Sequence, residues 1–270
     1  MTCKLAILDI DGTIAEPGNR IRPRVKAAMR ALQARGVPVC LSTGRNLAHT
    51  LPILDALDMD LPFSTVDSAF IYEGRSGGIL FRNVLPPAIQ EGILGIAARH
   101  NVYIEAVTDT HYNKLLRGTA AFDYGDCNGT PLVRYAEDCQ DLLHLPPDIG
   151  EFIFGGAAAD ISSLRGAIAA AYGDAVSLRD DLWEGYLFAG LRGLNKTLGL
   201  RLLCRHFGVD VAEACAIGDG LNDLDFLALA GTGVAMGNAD DRTKTAADYI
   251  TNTIQADGAA LALEKFFGEV

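Results

Sequence analysis

Positive charge is scarce in this chain. It carries 23 lysines and arginines against 34 aspartates and glutamates, for a formal net charge of −11 and a sequence pI near 4.8. An average field of that sign repels polyanions, so the composition argues against a nucleic acid or an anionic membrane as partner and leaves room only for a small anion at a local site. Long apolar runs are absent too: none reaches the ~18 residues that a membrane-spanning helix needs. Lys4 is followed at once by a short strand-like run rather than by the apolar core of a secretory leader. The six cysteines, at 3, 40, 127, 139, 204 and 215, make no C-x-x-C, and most lie in apolar segments where cysteine behaves as a small hydrophobe. Neither a disulfide framework nor a zinc cluster is expected. His49, His100, His111, His144 and His206 are dispersed, and none is assigned to catalysis. No internal repeat or low-complexity segment is evident. These absences lead to the expectation of a soluble, reduced, cytoplasmic protein whose oligomeric state is unread.

What is present is material for a core. At 270 residues and 49% hydrophobic composition, the chain can form one large domain or two modest ones. Both ends alternate strands with helix-period segments. KLAILD is followed by the amphipathic PRVKAAMRALQARG, stopped by Gly36, then by VPVCLS and NLAHTLPILDALD. The C-terminal part resumes with LNKTLGLRLLCRHFG, EACAIGD, NDLDFLALA, the short strands GVAM and DYIT, and a closing helix through LALEKFF. Such alternation implies a parallel sheet covered on both faces. The middle is β-rich, with helical segments near 87–99 and 160–172 and a turn-rich stretch, DYGDCNGTP at 123–131, expected as an exposed loop. The fold class expected is α/β: a Rossmann-like parallel-sheet core from residues 1–83 and 186–270, with an α+β domain inserted at 84–185.

The chemistry gathers where strands end. LAILDIDGTIAE, residues 5–16, places Asp9 and Asp11 one residue apart at the end of a buried strand, where two like charges are costly without a nearby cation. In an open parallel sheet, ligands bind beyond the carboxyl ends of the strands. There the second strand delivers Ser42, Thr43 and Arg45 from LSTGR, a later one delivers Asp219, Asn222 and Asp223 from AIGDGLND, and Lys196 starts the helix between them. Carboxylates with main-chain carbonyls suit Mg²⁺, a hard ion, whereas zinc would want His or Cys. With a lysine and a hydroxyl alongside, they form a pocket for a phosphoryl group. Asp9 is then a competent nucleophile toward phosphorus, and Asp11 can protonate the departing oxygen and later deprotonate water.

DIDGT at 9–13, the Thr of STGR at 43, Lys196, and GDGLND at 218–223 resemble, in order and spacing, the four motifs of the haloacid dehalogenase superfamily of phosphohydrolases. The large insertion resembles that of the Cof-type branch with a type IIB cap. The resemblance implies Asp9 as nucleophile and Asp11 as acid/base, with Thr43, Gly44, Lys196 and Asn222 about the phosphate. It also implies Mg²⁺ on Asp9, on the main-chain carbonyl of Asp11 and on Asp219, with Asp223 in support, and a cap that selects a small phosphorylated metabolite, sugar phosphates being the usual class. One departure stands out: many relatives have Asn-Gly-Ala after the third strand, whereas this chain reads VDSAFIY at 66–72.

Plainer roles exist for each residue. Ser42 and Thr43 suit the cap of a helix starting near Asn46, Lys196 suits an exposed helix position, and Asp219 and Asp223 suit a turn and a helix N-terminus. Arg45 fits either a local ion pair or a contact with substrate. RYAED at 134–138 fits a solvated face, and Trp183 and Tyr186 fit packing. Three functions compete: a Mg²⁺-dependent phosphatase, a phosphomutase or other phosphotransferase on the same fold, and a non-catalytic module phosphorylated on Asp. The last is disfavoured because such modules have about half this length and no insert.

Overall fold

The run LAIL forms β1 (Leu5–Leu8), in which every residue is buried, as a strand covered on both faces requires. The computed structural model describes residues 3–75, 78–116, 133–144, 148–180 and 182–268. The stretch 123–131, expected as a loop, and Cys127 lie outside them. After β1 come a small ribbon, β2 (Ala15–Glu16) with β3 (Arg20–Ile21), and helix α1 (Pro23–Ala34). Pro23 opens α1, where its missing N–H costs nothing. Val25, Ala28, Met29 and Leu32 form the buried stripe of α1, and Gly36, at φ +77, turns the chain out. Then follow β4 (Val39–Ser42), α2 (Leu47–Leu57), β5 (Phe63–Thr65), β6 (Phe70–Tyr72) and β7 (Ile79–Arg82).

The next elements are α3 (Pro87–Ala97), β8 (Tyr103–Thr108), β9 (Tyr112–Leu115), β10 (Val133–Tyr135), α4 (Cys139–Leu143), β11 (Ile149–Gly155), α5 (Ala158–Tyr172), β12 (Val176–Arg179) and β13 (Tyr186–Leu191). Their strands make a six-stranded sheet in the order β10-β9-β8-β11-β13-β12. It is antiparallel except where β9 and β10 run parallel. Alternate residues such as Ile104, Ala106, Phe152, Phe154, Leu187 and Ala189 pack with Ile93, Leu164 and Ile168 of the helices. The strand at the expected return to the core, β13, pairs with β11 and β12.

The chain closes with α6 (Lys196–Phe207), β14 (Ala214–Gly218), α7 (Leu224–Leu229), β15 (Thr232–Ala235), α8 (Asp241–Ala246), β16 (Tyr249–Ile250) and α9 (Gly258–Phe267). These strands join the first ones in an eight-stranded sheet, β16-β15-β14-β1-β4-β5-β6-β7. β1 runs parallel to both β14 and β4. The strand order therefore reverses at β1, the position where open α/β sheets leave a crevice at the strands' carboxyl ends. Two compact units result: Met1–Arg45, Thr50–Phe81 and Asn195–Val270 make one, and Asn46–His49 with Arg82–Leu194 make the other. Among the described residues no helix is long and apolar enough to cross a membrane, and Cys3, Cys40, Cys204 and Cys215 are free thiols.

Candidate active site

Asp9 leaves β1 with its N–H still donating to the Ile217 carbonyl of β14, at 2.9 Å. The lysine expected near it arrives by helix geometry. The Asn195 side chain accepts the Leu198 N–H at 3.1 Å and so fixes Lys196 as the first residue of α6. Lys196 then shares its face with the buried Gly199, Leu200 and Leu203. It is not an exposed helix lysine: at 1% side-chain exposure, its Nζ donates to Asp9 Oδ1 at 2.5 Å and to Asp223 Oδ1 at 2.6 Å. Asp223 also fills the plainer role expected of it, since its Oδ2 accepts the N–H groups of Asp219 and Gly220 at 3.0 and 2.9 Å.

Asp219 is held from two sides. Thr13 Oγ1 donates to its Oδ1 at 3.1 Å, and Asn238 Nδ2 donates to its Oδ2 at 3.3 Å and to the Gly12 carbonyl at 2.8 Å. Gly12 leaves the space that this carboxylate occupies, because a Cβ there would stand 2.1 Å from Asp219 Oδ2, and its φ of +73 also favours glycine.

One oxygen each of Asp9, Asp219 and Asp223 lies within 4.8 Å of the others. Burial pushes the Asp9 carboxyl well above the ordinary range; Lys196 opposes the shift, and Asp223, Asp219 and Asp11 reinforce it. Burial, then Asp223, lifts Asp219 to about 6. Burial alone would lower Lys196, but Asp223 and Asp9, followed by Asp67, outweigh it and its pKa is raised, so it stays charged. Three carboxylates thus stand about one buried ammonium, which pairs with two of them, Asp9 and Asp223. The uncompensated negative charge and the all-oxygen donor set fit a hard divalent cation such as Mg²⁺.

The STGR loop contributes differently from a helix cap. Thr43 Oγ1 accepts the Arg45 N–H at 3.1 Å, while the Asn46 side chain caps α2 by accepting the His49 N–H at 3.1 Å. Arg45 makes a local ion pair: Nε donates to Asp11 Oδ2 at 2.8 Å, Nη2 to Asp11 Oδ1 at 2.5 Å, and Nη1 to Asn19 Oδ1 at 2.8 Å. This fork orients an Asp11 side chain that is otherwise 63% exposed. The Asp11 carboxylate therefore stands apart from the three converging ones.

Asn222 meets a partner the motifs did not suggest, donating from Nδ2 to Asp67 Oδ1 at 3.1 Å. Asp67 is 4% exposed and lies in the middle of Val66, Asp67 and Ser68, whose φ values are +48, +46 and +83. Left-handed non-glycine residues cost on the order of 1–3 kcal/mol each and persist where the surroundings hold them. Here Val66 N–H donates to the Arg45 carbonyl at 2.8 Å and Asp67 N–H to the Thr43 carbonyl at 3.1 Å. Ser68 Oγ accepts the Gly199 N–H of α6 at 3.1 Å. A Cβ on Gly44 would stand 3.4 Å from Asp67 Oδ1, so the loop runs close against this carboxylate.

The expected residues Asp9, Lys196, Asp219 and Asp223 come together, with Asn222 beside them and Thr43, Gly44 and Arg45 on the adjoining loop. Sequence reasoning missed Thr13, Asn19, Asp67 and Asn238. Thr13 lies inside the DIDGT motif, and Asn238 sits in a GNAD turn, a weak signal. None of the histidines joins the acidic group. Trp183 packs edge-on against Tyr186 at 5.7 Å, and Arg134, Tyr135, Glu137 and Asp138 are exposed, as expected of a solvated face.

A sequence profile described as haloacid dehalogenase-like hydrolase matches residues 6–263. The chain is 25% identical over 268 residues to the 5-amino-6-(5-phospho-D-ribitylamino)uracil phosphatase YitU of Bacillus subtilis, with 97% of each chain covered. It is 27% identical over 252 residues to the HMP-PP phosphatase of Serratia proteamaculans, covering 90% of this chain and 86% of that one. Among solved structures, a haloacid dehalogenase-like hydrolase from Bacteroides thetaiotaomicron superposes with a TM-score of 0.81 at 26% identity, over 98% of this chain and 100% of that one. A sugar phosphatase of HAD subclass IIB superposes with a TM-score of 0.79 at 22% identity, over 97% and 98% of the two chains, a likeness of fold.

Proposed function

Because the chain belongs to the haloacid dehalogenase-like hydrolase family, we propose that it hydrolyses the phosphomonoester of a small metabolite through an aspartyl-phosphate on Asp9. The observation that carries this reading is the buried Lys196 ammonium bridging Asp9 Oδ1 and Asp223 Oδ1 at 2.5 and 2.6 Å at the carboxyl end of the sheet.

With Oδ1 held by Lys196, Asp9 presents Oδ2 to phosphorus. Attack forms the Oδ2–P bond and breaks the bond from phosphorus to the leaving oxygen, which takes a proton from Asp11. Asp11 then accepts a proton from water as that water attacks the phosphorus of the acyl phosphate, releasing phosphate and restoring Asp9. Both Asp11 oxygens accept hydrogen bonds from Arg45, so the bond to one of them is given up when that oxygen carries the proton. Lys196, Thr43, Gly44 and Asn222 bind the phosphoryl oxygens. Asp9, Asp219 and the main-chain carbonyl of Asp11 would hold Mg²⁺, with Asp223 in support; when bound, the ion offsets the charge of the phosphoryl group and favours ionised Asp9.

The inserted domain, expected at 84–185, is assigned the choice of leaving group, and sugar phosphates are the first class to screen. The two curated relatives are named as phosphatases of a ribitylamino-uracil phosphate and of HMP-PP, which adds phosphorylated heterocycles to the panel. The test is phosphate release from such a panel with Mg²⁺ and with excess chelator. Mg²⁺-dependent release of inorganic phosphate is expected. Transfer to a second substrate without free phosphate would make the protein a phosphotransferase instead, and no turnover of any ester would remove the reading.

A further inference from the structure

We propose that Asp67 is a positioning residue for Asn222, fixing which end of its carboxamide faces the phosphoryl group; the inference rests on the phosphatase reading above. A side-chain amide has a donor end and an acceptor end of nearly equal shape, and only its surroundings decide which way it faces. A carboxylate accepts and does not donate. The 3.1 Å bond from Asn222 Nδ2 to Asp67 Oδ1 therefore commits the NH₂ end to the side of Asp67 and Gly44. The carbonyl end is turned toward Gly220, where a Cβ would lie 2.6 Å from Asn222 Oδ1. One Nδ2 hydrogen is used on Asp67, and the second remains to donate to an anion's oxygen. An asparagine at 67 would present either an acceptor or a donor to Asn222 and leave its orientation undecided.

The backbone around Asp67 is built to hold it there. Val66, Asp67 and Ser68 are all left-handed, which a β-branched valine strongly resists. The stretch is tied to the Thr43 and Arg45 carbonyls and, through Ser68 Oγ, to the helix that carries Lys196. Strain held in place by two segments of a site is the pattern from which a functional role is inferred.

Two substitutions separate the side chain from the backbone. Asp67→Gly removes the acceptor and relieves the positive φ, whereas Asp67→Asn keeps size and left-handed tolerance but no longer enforces direction. The readouts are the competitive inhibition constant of inorganic phosphate, kcat and KM for p-nitrophenyl phosphate with Mg²⁺, and the melting midpoint. Asp67→Gly should weaken phosphate inhibition and raise KM about tenfold, the scale of one charge-assisted hydrogen bond, without lowering the midpoint. Asp67→Asn should fall between Asp67→Gly and the wild type. In an Asn222→Ala background, Asp67→Gly should no longer weaken phosphate inhibition, because that loss runs through Asn222, whereas the charge of Asp67 near Lys196 acts in both backgrounds. A phosphate constant within twofold of wild type in Asp67→Gly, or an undiminished effect in the Asn222→Ala background, overturns the inference. Wild-type and Asp9→Asn proteins run in parallel: loss of turnover in Asp9→Asn beside an unaffected Asp67→Gly rejects this inference alone. An inert wild type, or an active Asp9→Asn, rejects the phosphatase reading beneath it.

Discussion

Replacing Lys196 with methionine keeps most of the side-chain volume and removes the one ammonium that Asp9 and Asp223 share. The lysine side chain is 1% exposed and its partners 8% and 0%, so the substitution leaves two buried carboxylates with no cation. Removing one partner of a buried pair costs about 3–5 kcal/mol. For a chain of this size, each kcal/mol moves the melting midpoint by roughly 2–4 °C, so a drop of about 6–20 °C is expected near pH 7.5 in chelator. The pH dependence carries the diagnosis. Burial already raises the Asp9 carboxyl, and losing Lys196 raises it further. A carboxyl raised in the folded state binds more protons there than in the unfolded chain, so stability falls as pH rises above the unfolded value, about 3.9. The deficit of Lys196→Met should therefore shrink toward about pH 5 and be partly repaired by Mg²⁺, which resupplies positive charge. Differential scanning fluorimetry at both pH values, with chelator or Mg²⁺, measures it. A midpoint within about 2 °C of wild type at the higher pH, or a deficit that ignores pH, would refute the electrostatic account.

Other outcomes follow from the same geometry. Gly12→Ala should raise the Mg²⁺ concentration for half-maximal activity and lower the midpoint, since its Cβ would stand 2.1 Å from Asp219 Oδ2 and its φ is +73; an unchanged metal titration would count against the Gly12 and Asp219 packing. Asp219, lifted to about 6, takes up a proton that competes with a cation. The midpoint gain from Mg²⁺ should thus grow as pH rises through that value, and a gain independent of pH would mean that Asp219 is not a ligand. Asp11→Asn should lose about 10²- to 10⁴-fold in kcat on alkyl phosphates and less on p-nitrophenyl phosphate, whose leaving group needs no proton; equal losses on both would remove Asp11 as the acid.

The parts legible in the sequence are those set by local periodicity and strand ends. DIDGT, STGR and GDGLND each follow a run whose apolar pattern announces a strand, and Lys196 falls on the same helical spacing as Gly199, Leu200 and Leu203. What stayed hidden depends on contacts that no local pattern encodes. Asp67 reaches Asn222 across 155 residues, from a stretch whose valine argues against the left-handed turn it adopts. Thr13 and Asn238 reach Asp219 across 206 and 19 residues. The short strands β10 and β12 carry too few residues for alternation to show, and β13 presents Leu187 and Ala189 in a pattern that suits either sheet.

The central claim is that Asp9 becomes covalently phosphorylated during turnover. Wild-type protein and Asp9→Asn, turned over with Mg²⁺ and a good substrate, acid-quenched on the millisecond scale and digested, should differ at the peptide containing residues 5–16. A phosphoryl group on Asp9 is predicted in the wild type alone, appearing before steady-state phosphate release, together with loss of all but a trace of kcat in Asp9→Asn. Phosphate release with no label on that peptide at any quench time, alongside near-normal turnover by Asp9→Asn, would contradict the account.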